Sequence, residues 1–297
     1  MTSGNEGPAS VFVTAPDGLK LHVRCHGRRD APSLPVVCLP GLARTAADFD
    51  ELAAALAGDG GSRRVLALDY RGRGRSDHDR NPDNYNLVVE LADLLAVLTA
   101  LDVGRAVFVG TSRGGLLTMM LATARPGVMA GAVLNDIGPV IEAKGLVRIK
   151  GYVGKLPQPK NHEDGAEILR RLFDAQFPAL DSHAWLAASR RTWHERDGRL
   201  VPTYDVRLSK TLEGIDIEKP LPTLWKEFDA LGRIPLMVIR GANSDLLSAE
   251  TVEAMRQRRS AMETVVVHDQ GHAPLLAEAS VIRQIEKFVE RCEGAEH

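Results

Sequence analysis

The sequence predicts an α/β fold: a mostly parallel, doubly wound sheet with a helical cap inserted between two of its strands. Three observations carry this. Short runs that are apolar at every position recur along the chain, as strands covered by helices on both faces require. Stretches with apolar residues at helical spacing lie between them. One long stretch, from Gly138 to about Gly232, has amphipathic pieces but no comparable apolar run.

The elements follow in order. Val11 and Val13, then Leu19, Leu21 and Val23, alternate with polar residues around Pro16-Asp17-Gly18, which reads as a β-hairpin. Apolar runs at Pro35 to Leu39, Val65 to Leu68, Ala106 to Val109, Gly131 to Leu134, Ile234 to Ile239 and Thr264 to Val267 are the remaining strands. Leu87, Leu91, Leu94, Leu95, Leu98 and Leu101 share one helical stripe, and Val281, Ile285, Phe288, Val289 and Cys292 share another. Alternating strands and helices imply right-handed crossovers. In the long break, Ala166 to Ala175 and His183 to Thr192 are amphipathic helical pieces, and Trp185, Trp193 and Trp225 all fall there. These tryptophans either form a small core of the cap or line a pocket beneath it. The organisation expected is a disordered tail at 1–9, a core made of 10–137 and 233–297, and a helical cap at 138–232.

Composition narrows the function. Lys+Arg number 37 against Asp+Glu 39, a net charge of -2, so no broad basic face is available for nucleic acid or an anionic membrane. Cys25, Cys38 and Cys292 are too scattered for a disulfide framework or a CxxC metal site. Met1 to Ser10 carries neither a basic start nor an apolar stretch, and no run reaches the length of a membrane helix. A cytoplasmic protein is expected.

Chemistry enters at the end of the strand Ala106 to Val109. There Gly110-Thr111-Ser112-Arg113-Gly114 leads into a helix, a G-x-S-x-G sequence between strand and helix. A serine on such a turn projects its hydroxyl, and the glycines leave room for strand and helix to pass. Serine needs a base held by a carboxylate. Downstream, one strand leads into Gly241-Ala242-Asn243-Ser244-Asp245 and another into His268-Asp269-Gln270-Gly271-His272. His272 is the expected base and Asp245 the expected acid, in the chain order Ser, acid, His. Asp136, which also ends a strand on that edge, is the alternative acid. The amide of Arg113 and one from the loop Pro40-Gly41-Leu42, at Leu42, are the expected oxyanion donors. The Arg113 side chain either engages a substrate carboxylate or pairs with a nearby Asp.

At these residues the chain resembles the α/β-hydrolase superfamily over nearly its whole length. Leu39-Pro40-Gly41-Leu42-Ala43-Arg44-Thr45 and the loop from Asp69 through Arg71, Arg73 and Arg75 to Ser76 are similar to the loops of its capped branch. That branch includes epoxide hydrolases, haloalkane dehalogenases, meta-cleavage-product hydrolases and many esterases and lactonases. Ser112 in place of Asp argues against the chemistries that use a carboxylate nucleophile. Pro40 stands where many relatives carry His, and the carbon-carbon hydrolases carry an apolar residue where this chain has Arg113. The Arg-rich loop lacks P-loop spacing.

The resemblance implies a serine hydrolase that cleaves a small carboxylic ester or lactone through an acyl-enzyme, with no metal and no cofactor. Carbon-carbon hydrolysis of a ring-cleavage product, cofactor-free perhydrolase chemistry and non-turnover ligand binding stay open. The expected partner is a small-molecule substrate, with no nucleic acid and no membrane, and a homodimer is allowed. Lys and Arg balance Asp and Glu across the cap, so its total charge expresses no preference for a charged substrate.

Overall fold

The structure is a computed structural model that describes residues 8–58, 60–216, 219 and 221–294. The first half contains β1 (Ala9–Thr14), β2 (Lys20–His26), β3 (Ser33–Leu39), α1 (Asp50–Ala57), β4 (Arg63–Leu68), α2 (Leu87–Ala100), β5 (Ala106–Thr111), α3 (Arg113–Ala124) and β6 (Met129–Asn135). A long segment then adds α4 (Ala143–Tyr152), α5 (His162–Phe173), α6 (Ser182–Thr192), β7 (Trp193–Arg196), β8 (Arg199–Pro202), α7 (Lys210–Glu213) and α8 (Trp225–Ala230). The chain returns through β9 (Leu236–Gly241), α9 (Ala249–Arg258), β10 (Glu263–Val267) and α10 (Ala279–Gly294).

Eight strands form one sheet in the order β1-β2-β4-β3-β5-β6-β9-β10. The hairpin strands β1 and β2 are antiparallel to their neighbours, and β4, β3, β5, β6, β9 and β10 run parallel. Registers align the carboxyl ends: Leu39 pairs with Gly110, Thr111 with Asn135, and Gly241 with Val267. Ligands of such sheets bind beyond that edge.

Alternation along the strands fills two cores, one on each face. Val107 and Val109 join Leu52 of α1 and Ile285 and Phe288 of α10, whereas Ala106 and Phe108 join Leu94 and Leu98 of α2 and Leu117 of α3. The leucine stripe of α2 is therefore its buried side. Its start is set by Asn86, whose side chain accepts from the amides of Val88 and Val89. Among the described residues no helix is long and apolar enough to cross a membrane.

Three details differ from the sequence reading. Residues 1–7 of the expected tail lie outside the described residues, and Ala9 already pairs with Cys25 at the start of β1. The helix begins at Arg113, inside the Gly110–Gly114 stretch rather than after it. The segment between β6 and β9 also contains a hairpin, β7–β8, turning at Asp197 (φ 52) and Gly198 (φ 71). Asp-Gly is the sequence such a two-residue turn favours, because both central residues take positive φ. Strands of four residues, half of them exposed, make no apolar run.

Candidate active site

Ser112 sits where β5 turns into α3, with φ 52 and ψ -113, a conformation costing about 1–3 kcal/mol that persists only where its surroundings enforce it. The enforcement is close packing. A Cβ on Gly110 would lie 2.5 Å from the backbone of Gly114, and one on Gly114 would lie 2.0 Å from the carbonyl oxygen of Leu39. Both glycines of the G-x-S-x-G sequence are thus required by contact. The Ser112 amide donates to the Asn135 carbonyl at 3.0 Å, tying the turn to the end of β6.

His272 lies on the loop after β10. Its Nε2 is 2.8 Å from Ser112 Oγ, and its Nδ1 is 2.8 Å from Asp136 Oδ2. Asp136 is fully buried and takes φ 54, one residue past β6. The Gly241 amide donates to its Oδ1 at 2.8 Å and the Ser244 hydroxyl to its Oδ2 at 2.6 Å. A carboxylate holding these donors presents an oxygen in fixed orientation to the imidazole.

Asp245, the acid expected from its place past the end of a strand, does not hold His272. It forms a two-point ion pair with Arg148 of α4, at 2.7 and 2.8 Å. Burial opposes ionisation of Asp245, but hydrogen bonds from Arg148 and Gln176 outweigh it and hold its carboxyl below the usual range. The reason for the displacement is the strand order. β6 lies between β5 and β9, so a residue one step beyond β6 stands beside Ser112. Asp245 lies four positions beyond the end of β9 and is drawn to α4, where its carbonyl also accepts from the Gly145 amide at 2.9 Å.

Leu42 lines the same cavity as Ser112, and its carbonyl accepts from Arg73 Nε at 2.8 Å. Arg113 is the first residue of α3, where backbone amides have no partner within the helix. Its side chain leaves the site: Nε donates to Glu90 Oε2 at 2.5 Å, and Nη2 to the Tyr85 carbonyl at 3.2 Å. The carboxylate it finds is thus a Glu rather than an Asp.

Glu90 also pairs with Arg73, Nη1 to Oε1 at 2.8 Å, and neither side chain is exposed. Burial pushes the Glu90 carboxyl up, but the two guanidiniums outweigh it and keep it below its ordinary range. Sequence reasoning missed this cluster. The signal was present, because Glu90 falls three residues after Leu87 and four before Leu94, a charge on the apolar side of α2. The other arginines of that loop are also engaged internally. Arg71 pairs with Asp17, Asp79 and Asp93, and Arg75 donates to Ser10 Oγ at 2.6 Å.

A cavity of about 200 Å³ opens onto Ser112 and His272. Much of its wall comes from the segment between β6 and β9, through Leu156, Phe173, Phe177 and Trp185. Trp185 and Trp193 pack with Leu169, Phe177 and Leu200 as a small separate core, so Trp185 serves both as packing and as lining. Trp225 packs against the main core, edge-on to Phe228 at 5.8 Å and under Arg258 at 4.3 Å, and is not part of the cavity wall. The wall also carries charge, from Arg44, Asp48 and Arg191. Among the described residues no group of three or more His, Cys, Asp or Glu could hold a metal ion.

Comparison with known proteins agrees with this architecture. The model of the alpha/beta hydrolase family matches residues 36–284. The 3-hydroxybutyrate-oligomer hydrolase of Cupriavidus necator is 32% identical over 292 residues, 95% of this chain and 97% of that protein. The crystal structure of an alpha/beta hydrolase from Novosphingobium aromaticivorans superposes with a TM-score of 0.89 at 40% identity, covering 97% of this chain and 100% of that one. The structure of E-2-(acetamidomethylene)succinate hydrolase, at 21% identity and a TM-score of 0.78 over 95% of this chain and 99% of that one, shares the fold. Sheet order, elbow and sequence likeness thus converge, and the chain belongs to the alpha/beta hydrolase family.

Proposed function

We propose that this hydrolase cleaves a carboxylic ester through an acyl-enzyme, with Ser112 as nucleophile, His272 as general base and acid, and Asp136 as the orienting acid. The observation that carries the reading is the unbroken chain from Ser112 Oγ through both nitrogens of His272 to Asp136 Oδ2, each link 2.8 Å. His272 takes the hydroxyl proton as Ser112 attacks the ester carbonyl. Asp136 fixes the tautomer with hydrogen on Nδ1 and stabilises the imidazolium. The amides of Leu42 and Arg113 receive the developing oxyanion, which preorganised donors stabilise more than they do the ground-state carbonyl. His272 then protonates the leaving alcohol, and water attacks the acyl-enzyme by the same route in reverse.

The segment 138–232 acts as a cap in this reading. It supplies the apolar wall over Ser112, and Gln176 Oε1 accepts the His272 amide at 3.0 Å. The full-length likeness to a hydrolase of 3-hydroxybutyrate oligomers supports an ester substrate. The test is hydrolysis of p-nitrophenyl butyrate by the wild type and by Ser112→Ala, with folding followed by circular dichroism. Loss of at least about 10³-fold in the variant is expected. A folded wild type without esterase activity would overturn the reading.

A further inference from the structure

The charged part of the cavity wall has an arrangement that the balanced total charge of the cap conceals. Arg44, on the loop after β3, donates from Nε and Nη2 to Asp48 at 2.6 Å each, and from Nη1 to Thr192 Oγ1 at 3.1 Å. Arg191, at the end of α6, approaches the same Asp48 at 3.6 Å and Glu51 at 3.3 Å. Arg44, Asp48, Arg191 and Thr192 all line the cavity that holds Ser112 and His272. Two guanidiniums therefore share one carboxylate on the cavity wall. Glu51 is 47% exposed and meets Arg191 through one contact of 3.3 Å, so water and salt weaken its hold and leave the Arg191 guanidinium able to take a second anion from the cavity side.

The position of this charge is defined by Gly41. A Cβ built there would lie 3.3 Å from Arg44 Cγ and 3.9 Å from Ser112 Cβ, so the stem of Arg44 and Ser112 both pack against Gly41. Each terminal nitrogen of a guanidinium carries two hydrogens, so Asp48 and Thr192 leave donors on Arg44 for a second acceptor. Arg191 holds its acidic neighbours at longer range and through single contacts. The rest of the wall is mainly aliphatic and aromatic. In such surroundings a guanidinium pair recognises a planar anion by charge-assisted hydrogen bonds far better than it recognises a neutral group.

We infer that the substrate is an ester that itself carries a carboxylate several bonds from the scissile carbonyl, bound by Arg191 and Arg44, as in an acylated hydroxy acid. The inference rests on the ester reading and deepens it. An apolar chain fills the side formed by Phe173, Phe177 and Trp185, and the carboxylate terminus meets the arginines. A neutral alkyl ester of equal size leaves the spare guanidinium donors without an acceptor, and binds and reacts less well.

The test compares 3-butanoyloxybutanoate with its neutral N,N-dimethylamide, which keeps the scissile ester and removes only the charge. Wild type is expected to prefer the carboxylate in kcat/KM by about 10- to 100-fold, the range of a hydrogen bond to a charged group. Added potassium chloride should shrink that ratio. Arg191→Gln, at a side chain only 18% exposed, should bring the ratio near one, and Arg191→Lys should restore part of it. Arg44→Gln repeats the test from the other element, with circular dichroism checking that each variant folds. Cleavage of both compounds by wild type without preference, or an equal fall for both in Arg191→Gln, overturns the inference and leaves the arginines as a clasp between segment and core. A folded wild type that cleaves neither compound overturns the ester reading and this inference with it.

Discussion

Asp136 Oδ2 lies 2.8 Å from His272 Nδ1, and the strand that delivers it is the direct neighbour of the strand that delivers Ser112. Asp245, one strand farther out, is held instead by Arg148. The two aspartates are therefore separable by mutation. Asp136→Asn is expected to lower kcat for p-nitrophenyl butyrate by about 10⁴-fold, the effect of holding the imidazole in the wrong tautomer. Asp245→Asn removes an ion pair outside the proton path and should cost less than about tenfold. Steady-state kinetics on both variants decide between them, and comparable losses in the two would reject Asp136 as the orienting acid.

That contrast also shows which parts of the site were legible in the sequence. Ser112, the strands and the leucine stripe of α2 depend on residues within one turn or one strand, so local spacing reveals them. The partner of His272 depends on which strands are neighbours in the sheet, and no local pattern encodes that order. Chain order admits both aspartates, since each lies between Ser112 and His272, and only the strand order places Asp136 against the imidazole. Arg113 differs in kind: its choice of Glu90 over the cavity was decided by a residue on another helix. The β7–β8 hairpin is legible through Asp197-Gly198 alone, because its strands are four residues long and make no apolar run.

Asp205 joins the inserted segment to the core, accepting from the Tyr85 hydroxyl at 2.6 Å and from Arg207 Nη2 at 2.5 Å. Burial raises its pKa, but these donors outweigh it and bring the value down to about 2 from 3.8. A carboxyl depressed in the folded state contributes stability that is complete above its unfolded pKa and is lost as pH falls through the folded one. The contribution is on the order of 2 kcal/mol, lost between about pH 4 and pH 2. Urea midpoints across that interval should fall more steeply for wild type than for Asp205→Asn. Parallel curves would show that this carboxylate does not drive acid unfolding.

Glu90 lies between Arg73 and Arg113 with no exposed side-chain surface. Removing one member of a buried ion group leaves charge without compensation, which typically costs about 3–5 kcal/mol. Glu90→Gln keeps the shape and removes the charge, so a destabilisation of that size is expected in urea unfolding. Because Arg73 also holds the Leu42 carbonyl, kcat should fall in the population that remains folded. A stability change below about 1 kcal/mol would mean that the two guanidiniums find other partners or water.

Phe177 belongs both to the small core of the inserted segment and to the cavity wall. Truncation to Ala should therefore have two separable consequences. Loss of packing against Leu169 and Trp185 destabilises the protein by about 3 kcal/mol. The space released extends the apolar side of the cavity, and each additional methylene that fills it contributes about 0.8 kcal/mol, roughly fourfold in binding. The kcat/KM ratio for p-nitrophenyl octanoate over butyrate should then rise by about tenfold or more in Phe177→Ala. A ratio that stays at its wild-type value while stability falls would assign Phe177 to packing alone and place the acyl chain against another wall, because a side chain that limits chain length cannot be removed without moving the limit.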